Sequence, residues 1–266
     1  MSNNGMPGAG PSFWGWRTLF LLLAANFAAS VAAIVAGDFD KVGLPARMLS
    51  MEIFTNGVEA VLWFSVAVLS LMKKPHVAAE LVVFLAGFLW FDVLTTHRLV
   101  MPIPPGFLWW GSALVVLMLV AARKLVARRI YATDPNWLNN LGQPSLSPNA
   151  FRKTAWLFGA FGLSFAVTVM SLINGDYNRS GLPGSVLPWH MIANGLEALL
   201  CFLAAALIWA GSVRAAGWLG LFAVGMFAWD MLTTAFLMNM PIPWQPIWGP
   251  IALLLGLMVT SRLRKA

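Results

Sequence analysis

Glu59 and Glu197 are the residues whose type and setting point most directly to chemistry. Each stands in the same local pattern, Asn56-Gly57-Val58-Glu59-Ala60 and Asn194-Gly195-Leu196-Glu197-Ala198, inside a long apolar run. Two aspartates follow the same rule: Asp92 opens Asp-Val-Leu-Thr-Thr and Asp230 opens Asp-Met-Leu-Thr-Thr. An ionised side chain at the centre of a membrane helix costs about 2.5–3.5 kcal/mol even on the milder insertion scale, so such residues are candidate functional sites by default. On a helix, Glu52, Asn56 and Glu59 are spaced four and three apart and share one face, as do His190, Asn194 and Glu197. Asp92 is followed by Thr95 and Thr96, and Asp230 by Thr233 and Thr234.

At a rise of about 1.5 Å per residue, Glu59 lies about 15 Å, and Asp92 about 10 Å, below the outer surface. No Lys or Arg falls at that depth in the sequence. Four carboxyls without cationic partners cannot all stay ionised, because burial and mutual repulsion favour the neutral acid. A neutral acid held near its acceptor is a proton donor. Two competing readings use the same residues. Neutral acids with Asn and Thr can act as interhelical glue, and carboxylate oxygens can hold a hard cation such as Na⁺ or Ca²⁺.

The elements that must position these groups are membrane helices. Of 266 residues, 59% are hydrophobic and 10% charged, against about a quarter charged in soluble domains. Eight runs approach the roughly 20 residues that cross a bilayer: 18–36, 49–72, 77–98, 106–122, 155–174, 187–210, 216–238 and 245–261. The fourth and eighth are short and follow the Pro-rich corners Met101-Pro-Ile-Pro-Pro and Met240-Pro-Ile-Pro. Thirteen basic residues fall on one side and four (Lys41, Arg47, Arg98, Arg179) on the other. This places both termini in the cytoplasm of an integral inner-membrane protein of bacterial type. The net charge of +7 reflects this loop bias rather than nucleic-acid binding.

A shift of 138 residues superposes Gly37-Asp38 on Gly175-Asp176, Gly43-Leu-Pro on Gly181-Leu-Pro, Glu59 on Glu197 and Asp92 on Asp230. From 37 to 62, eleven of 26 positions are identical without a gap, which marks a duplication. The predicted architecture is therefore all-α and polytopic, with eight transmembrane helices as two parallel four-helix repeats. An even number of helices per unit gives both units the same orientation and a pseudo-twofold axis along the membrane normal. The parts are a disordered cytoplasmic N-terminus (1–17), repeat 1 (18–122), a cytoplasmic linker (123–153) and repeat 2 (154–266). The linker's basic start, Arg123 to Arg129, reads as a solvated helix end, with an amphipathic interfacial helix as the alternative.

Other residues refine the picture. Cys201 alone allows no disulfide or thiolate metal site. The sequence has no His-rich metal cluster, no phosphate loop and no mid-helix Lys for a retinal Schiff base, so no cofactor or metal is expected. Gly57 and Gly195 read as close-packing positions. His190 lies near the outer boundary, one stripe above Glu197. Trp90, Trp110, Trp229 and Trp248 lie close in sequence or depth to the acid layer, where aromatic faces could line a pocket and steady a cation. The cytoplasmic halves of the helices carry almost no polar residues, so a single pocket open to the outer side is expected.

Asn56, Glu59 and Asp230 resemble the acid pattern of the fungal integral-membrane meroterpenoid cyclases, although Asn precedes Glu by three here and no Trp stands just before the Glu. Asp38, Glu59 and Thr95/Thr96 are similar, more distantly, to the EXPERA-domain sterol isomerases and their four-helix units. Both resemblances imply protonation of an isoprenoid skeleton within the bilayer. The expected function is thus a cyclase or isomerase acting on a terpenoid or isoprenoid lipid without a redox cofactor. Glu59 and Asp230 are its leading acids, with Glu197 and Asp92 beside them. Asn56, Asn194, His190, Thr95, Thr233 and the four tryptophans are expected around the substrate. The alternatives are a proton- or cation-coupled transporter and a non-catalytic lipid-binding or assembly protein. The expected partners are a hydrophobic small molecule or lipid and the surrounding membrane lipids. A homodimer is compatible with the pattern.

Overall fold

The computed structural model describes residues 11–37, 46–72, 74–99, 106–133, 151–175, 187–237 and 245–265. Among them are eight helices: α1 (Pro11–Val35), α2 (Ala46–Leu71), α3 (Pro75–Leu99), α4 (Gly106–Thr133), α5 (Arg152–Ile173), α6 (Leu187–Trp209), α7 (Val213–Leu237) and α8 (Gln245–Lys265). The fold is all-helical among these residues. Seven helices, α1 to α7, are long and apolar enough to cross a membrane.

Helix boundaries depart from the apolar runs where polar residues can lie beyond the hydrocarbon layer. Helix α1 starts at Pro11, so residues 11–17, expected to be disordered, are helical. Proline is well suited to a first turn, where its missing N–H leaves no hydrogen bond unmade. Helix α4 runs on to Thr133, carrying Arg123 and Lys124 as an exposed helix end within the expected linker. The ammonium of Lys124 sits 5.5 Å from the Trp16 ring centre on α1. The Met-Pro-Ile-Pro corners, Asp38 and residues 134–150 lie outside the described residues.

Helices α1 and α5 end alike. Gly37 and Gly175 take left-handed φ values of 82° and 78°. Their N–H groups donate to Ile34 O and Leu172 O at 3.1 and 3.2 Å, closing the last turn with a residue that has no Cβ to strain.

The centre of the bundle is the crossing of α3 with α7, flanked by α2 and α6. Glycines set its closeness. A β-carbon at Gly87 would overlap the Phe222 carbonyl oxygen and stand 3.2 Å from Met226 N. A β-carbon at Gly225 would overlap the Phe84 carbonyl oxygen and stand 3.0 Å from Phe88 N. Residues 84, 87 and 88 plus 138 are residues 222, 225 and 226, so each contact is the counterpart of the other. Gly57 and Gly195, by contrast, have nothing within 4 Å of such a carbon. The close-packing role expected of them belongs to Gly87 and Gly225, because α3 and α7 are the helices that cross.

At the level of the acids, Met51, Phe88, Phe91, Leu94, Ala193, Ala228 and Trp229 form one buried cluster drawn from α2, α3, α6 and α7. At the opposite end of α3, Glu80 accepts from Arg264 Nε of α8 at 3.3 Å and lies 3.1 Å from His76 Nε2. The guanidinium also sits 5.4 Å from the Trp218 ring centre on α7. This polar knot, absent from the sequence expectation of apolar cytoplasmic halves, ties the first half of the chain to the last helix.

Candidate functional site

Helices α2 and α6 each bring a glutamate to the interior. Glu59 and Glu197 are both fully buried. None of their four carboxyl oxygens has a hydrogen-bond partner among the described residues. The charged groups facing Glu59 are Asp92 from α3 and Glu52 from its own helix. The charged group facing Glu197 is Asp230 from α7. Glu59 and Asp230, named above as the leading acids, belong to two different acid clusters, because α2 packs on α3 and α6 on α7.

The first cluster is held by local hydrogen bonds. Asn56 Nδ2 donates to Glu52 O at 2.8 Å and to Glu52 Oε2 at 3.0 Å. Asp92 is 9% exposed and Thr95 is buried, its hydroxyl donating to Phe91 O at 2.8 Å. Trp229 Nε1 of α7 donates to Thr95 Oγ1 at 3.3 Å, joining this cluster to the second half of the chain.

In the second cluster Asn194 Nδ2 donates to His190 O at 2.9 Å, repeating the first. Where the first helix has Glu52, this one has His190, and the consequence is a different pairing. His190 Nδ1 lies 3.0 Å from Asp230 Oδ1. His190, in the first turn of α6, is buried, its ring edge-on to Phe91 at 6.1 Å, and its Nε2 has no hydrogen-bond partner among the described residues. The second half therefore holds a His–Asp pair and a carboxyl, with Nε2 and both Glu197 oxygens available.

The tryptophans divide. Trp229 is fully buried in the central cluster, edge-on to Phe88 at 4.9 Å. Trp90 packs against the central cluster and the first-half core. Trp110 is 79% exposed on α4 and lines no interior site. Its neighbour Gly111 faces α3 instead, where its β-carbon would come 2.6 Å from the Val93 methyls. The side chains of Thr96, Thr233, Thr234 and Trp248 lie outside the described residues.

No cluster of three or more His, Cys, Asp or Glu suited to a metal occurs among the described residues. Between Glu80 and Asp92, α3 carries only apolar residues and Gly87, and α7 carries only apolar residues and glycines from Leu219 to Trp229. A different space lies there. A small apolar cavity of about 50 Å³ lies among α5, α6, α7 and α8, with Cys201, Gly220, Phe227 and Gly256 in its wall.

Comparison with protein-family models, curated proteins and solved structures found no match.

Proposed function

We propose that this chain is an intramembrane acid-catalysed cyclase or isomerase of an isoprenoid or terpenoid lipid. The observation that carries the reading is the pair of fully buried carboxyls, Glu59 and Glu197, without hydrogen-bond partners among the described residues and faced by other carboxyls. A dry site of this composition accommodates the neutral acid, and a neutral acid beside an alkene or epoxide is a proton donor. The second cluster is the more complete one, since it sets beside the donor Glu197 a base, His190, whose Nδ1 lies 3.0 Å from Asp230 Oδ1.

In this reading the O–H bond of Glu197 breaks as a C–H bond forms on the alkene, leaving a carbocation and a carboxylate. The carboxylate and the rings of Phe91 and Trp229 steady that cation. Attack by a second alkene closes a ring and passes the positive charge to a new carbon; with or without that step, loss of a neighbouring proton to His190 quenches the cation and leaves a double bond. The proton passes back to Glu197, so acid and base are restored. The first cluster, with Glu52 in place of histidine, lacks that base and serves as scaffold or as a second donor.

The architecture we assign is eight spans in two parallel four-helix repeats about a pseudo-twofold axis, with both termini cytoplasmic. The reciprocal Gly87–Phe222 and Gly225–Phe84 contacts support it, since a twofold exchange turns one into the other. The unbroken apolar stretches of α3 and α7 count against a transporter, which needs a polar path between the two membrane faces.

The test is deuterium uptake. Membranes containing the protein are incubated in heavy water with a panel of polyprenols and isoprenoid quinones, and products are read by mass spectrometry. Wild-type protein is expected to yield an isomer of one panel member carrying one solvent deuterium, and Glu197→Gln to slow this at least about a hundredfold with folding intact. Absence of uptake across the panel, or full uptake by both Glu197→Gln and Glu59→Gln, overturns the reading.

A further inference from the structure

Helix α1 carries a polar group on a side that faces away from the bundle. Its apolar segment, Gly15–Val35, has Asn26 near the middle, so the side chain stands close to the bilayer centre. Asn26 is exposed, whereas Phe20, Leu23, Phe27 and Ile34 of the same helix are buried. Ser30 Oγ donates to Asn26 O at 3.1 Å, but the side-chain amide of Asn26 makes no hydrogen bond among the described residues. Asn56 and Asn194 each donate an N–H to the carbonyl four residues back. Even that bond would leave Asn26 with an N–H and a carbonyl oxygen facing hydrocarbon, which offers neither donor nor acceptor. The group that satisfies this amide must itself lie within the membrane.

The residues around Asn26 suit the approach of another helix. Leu22, Ala25, Ala29 and Ala36 are exposed along the same stripe of α1. An asparagine side chain is short, so a partner helix has to come close, and alanines admit that approach. The duplication supplies an internal control. The positions 138 residues later, on α5, carry Ser164 for Asn26, and Leu163, Val167 and Met170 for Ala25, Ala29 and Ala32. Those three large side chains are 60%, 56% and 56% exposed, as suits a helix set against lipid tails. One outer helix is thus bulky and apolar, and its counterpart is small and carries an amide.

We infer that this face of α1 is a homodimer interface, in which two α1 helices cross about a twofold axis along the membrane normal and their Asn26 amides bond each other. An amide is both donor and acceptor, so it is complementary to a copy of itself. Two copies inserted in the same direction hold Asn26 at equal depth, and a twofold axis between them lets each amide donate to the other. A different protein would need its own polar group at that depth, whereas a second copy brings one by construction. Helix α1 packs on α2 through its buried face, so the contact leaves the acid clusters inside each copy. The inference is independent of the chemistry proposed for those acids.

The experiment uses the full-length protein in liposomes. Two pools labelled at the C-terminus with a donor and an acceptor dye are reconstituted together, and energy transfer is followed as the protein-to-lipid ratio falls. In parallel, Ala29→Cys and its α5 counterpart Val167→Cys are oxidised in membranes with copper phenanthroline, and unaltered protein, with buried Cys201 alone, is the blank. Wild-type protein is expected to dimerise, and Ala29→Cys to cross-link where Val167→Cys and the blank do not. Asn26→Leu, which places a lipid-compatible side chain there, should weaken dimerisation at least tenfold. Ser164→Leu should leave it unchanged. Because Asn26 is exposed within one copy, Asn26→Leu should fold, and far-UV circular dichroism checks this. A wild-type protein that stays monomeric at every ratio overturns the inference. So does cross-linking through Val167→Cys in place of Ala29→Cys, or dimerisation undiminished in Asn26→Leu.

Discussion

Gly87→Ala tests the centre of the fold with one methyl group. The added carbon would overlap the Phe222 carbonyl oxygen and come 2.9 Å from the Phe222 carbonyl carbon. The obstacle is backbone, so no rotamer change relieves it, and α3 and α7 must move apart by on the order of 1 Å. Overpacking of a tight interior commonly costs about 1–3 kcal/mol, and a backbone obstacle sits at the upper end of that range. Replacing a helical glycine by alanine returns up to about 1 kcal/mol through propensity. The net expectation is about 2 kcal/mol of destabilisation, which lowers Tm by about 4–8 °C in a protein of this size. Thermal unfolding in mild detergent, followed by circular dichroism, reads the shift. The internal controls are Gly57→Ala and Gly195→Ala, which meet nothing within 4 Å and should leave Tm unchanged or slightly raised. The double variant Gly87→Ala/Gly225→Ala should lose less than the sum of its parts, because one separation of the same two helices relieves both contacts. A Gly87→Ala protein as stable as wild type, or controls as damaging as the test, would refute the α3–α7 crossing.

Three further outcomes follow from named contacts. Arg264→Met leaves Glu80 without its guanidinium partner at the α3–α8 junction and should destabilise by about 1–3 kcal/mol, measured by the same unfolding assay. Trp229→Phe keeps the ring within the central cluster but removes the hydrogen bond to Thr95, so a loss near about 0.6 kcal/mol is expected, with deuterium uptake largely retained. Trp110→Ala removes a side chain that is 79% exposed and should change neither Tm by more than about 2 °C nor uptake.

How far the sequence reached depended on which physical constraint was at work. Helix number and type were legible because each crossing of hydrocarbon needs about 20 apolar residues with backbone bonds closed inside the segment. Glu59, Asp92, Glu197 and Asp230 stood out for the complementary reason, that carboxyls are costly in such runs. The common face of Glu52, Asn56 and Glu59 followed from helical spacing alone, and for Glu52 and Asn56 the structure shows it as hydrogen bonds.

Whatever depends on contact between helices had to wait for the tertiary structure. Spacing marks which residues share a face but not which helix meets that face, so Gly57 looked like a crossing point, whereas Gly87 is one. Nothing in the spacing pairs His190 with Asp230, yet the packing of α6 on α7 sets His190 Nδ1 3.0 Å from Asp230 Oδ1. Glu80 and Arg264 are 184 residues apart and carry no mutual signal in the chain, yet folding brings them to 3.3 Å. Gly220 and Gly256 are unremarkable in the chain, and only packing shows that a β-carbon there would come 2.7 Å from Phe158 and Val224. Periodicity and polarity are local properties written along one helix, whereas crossings, ion pairs and cavities are properties of surfaces that meet, and those are fixed by packing.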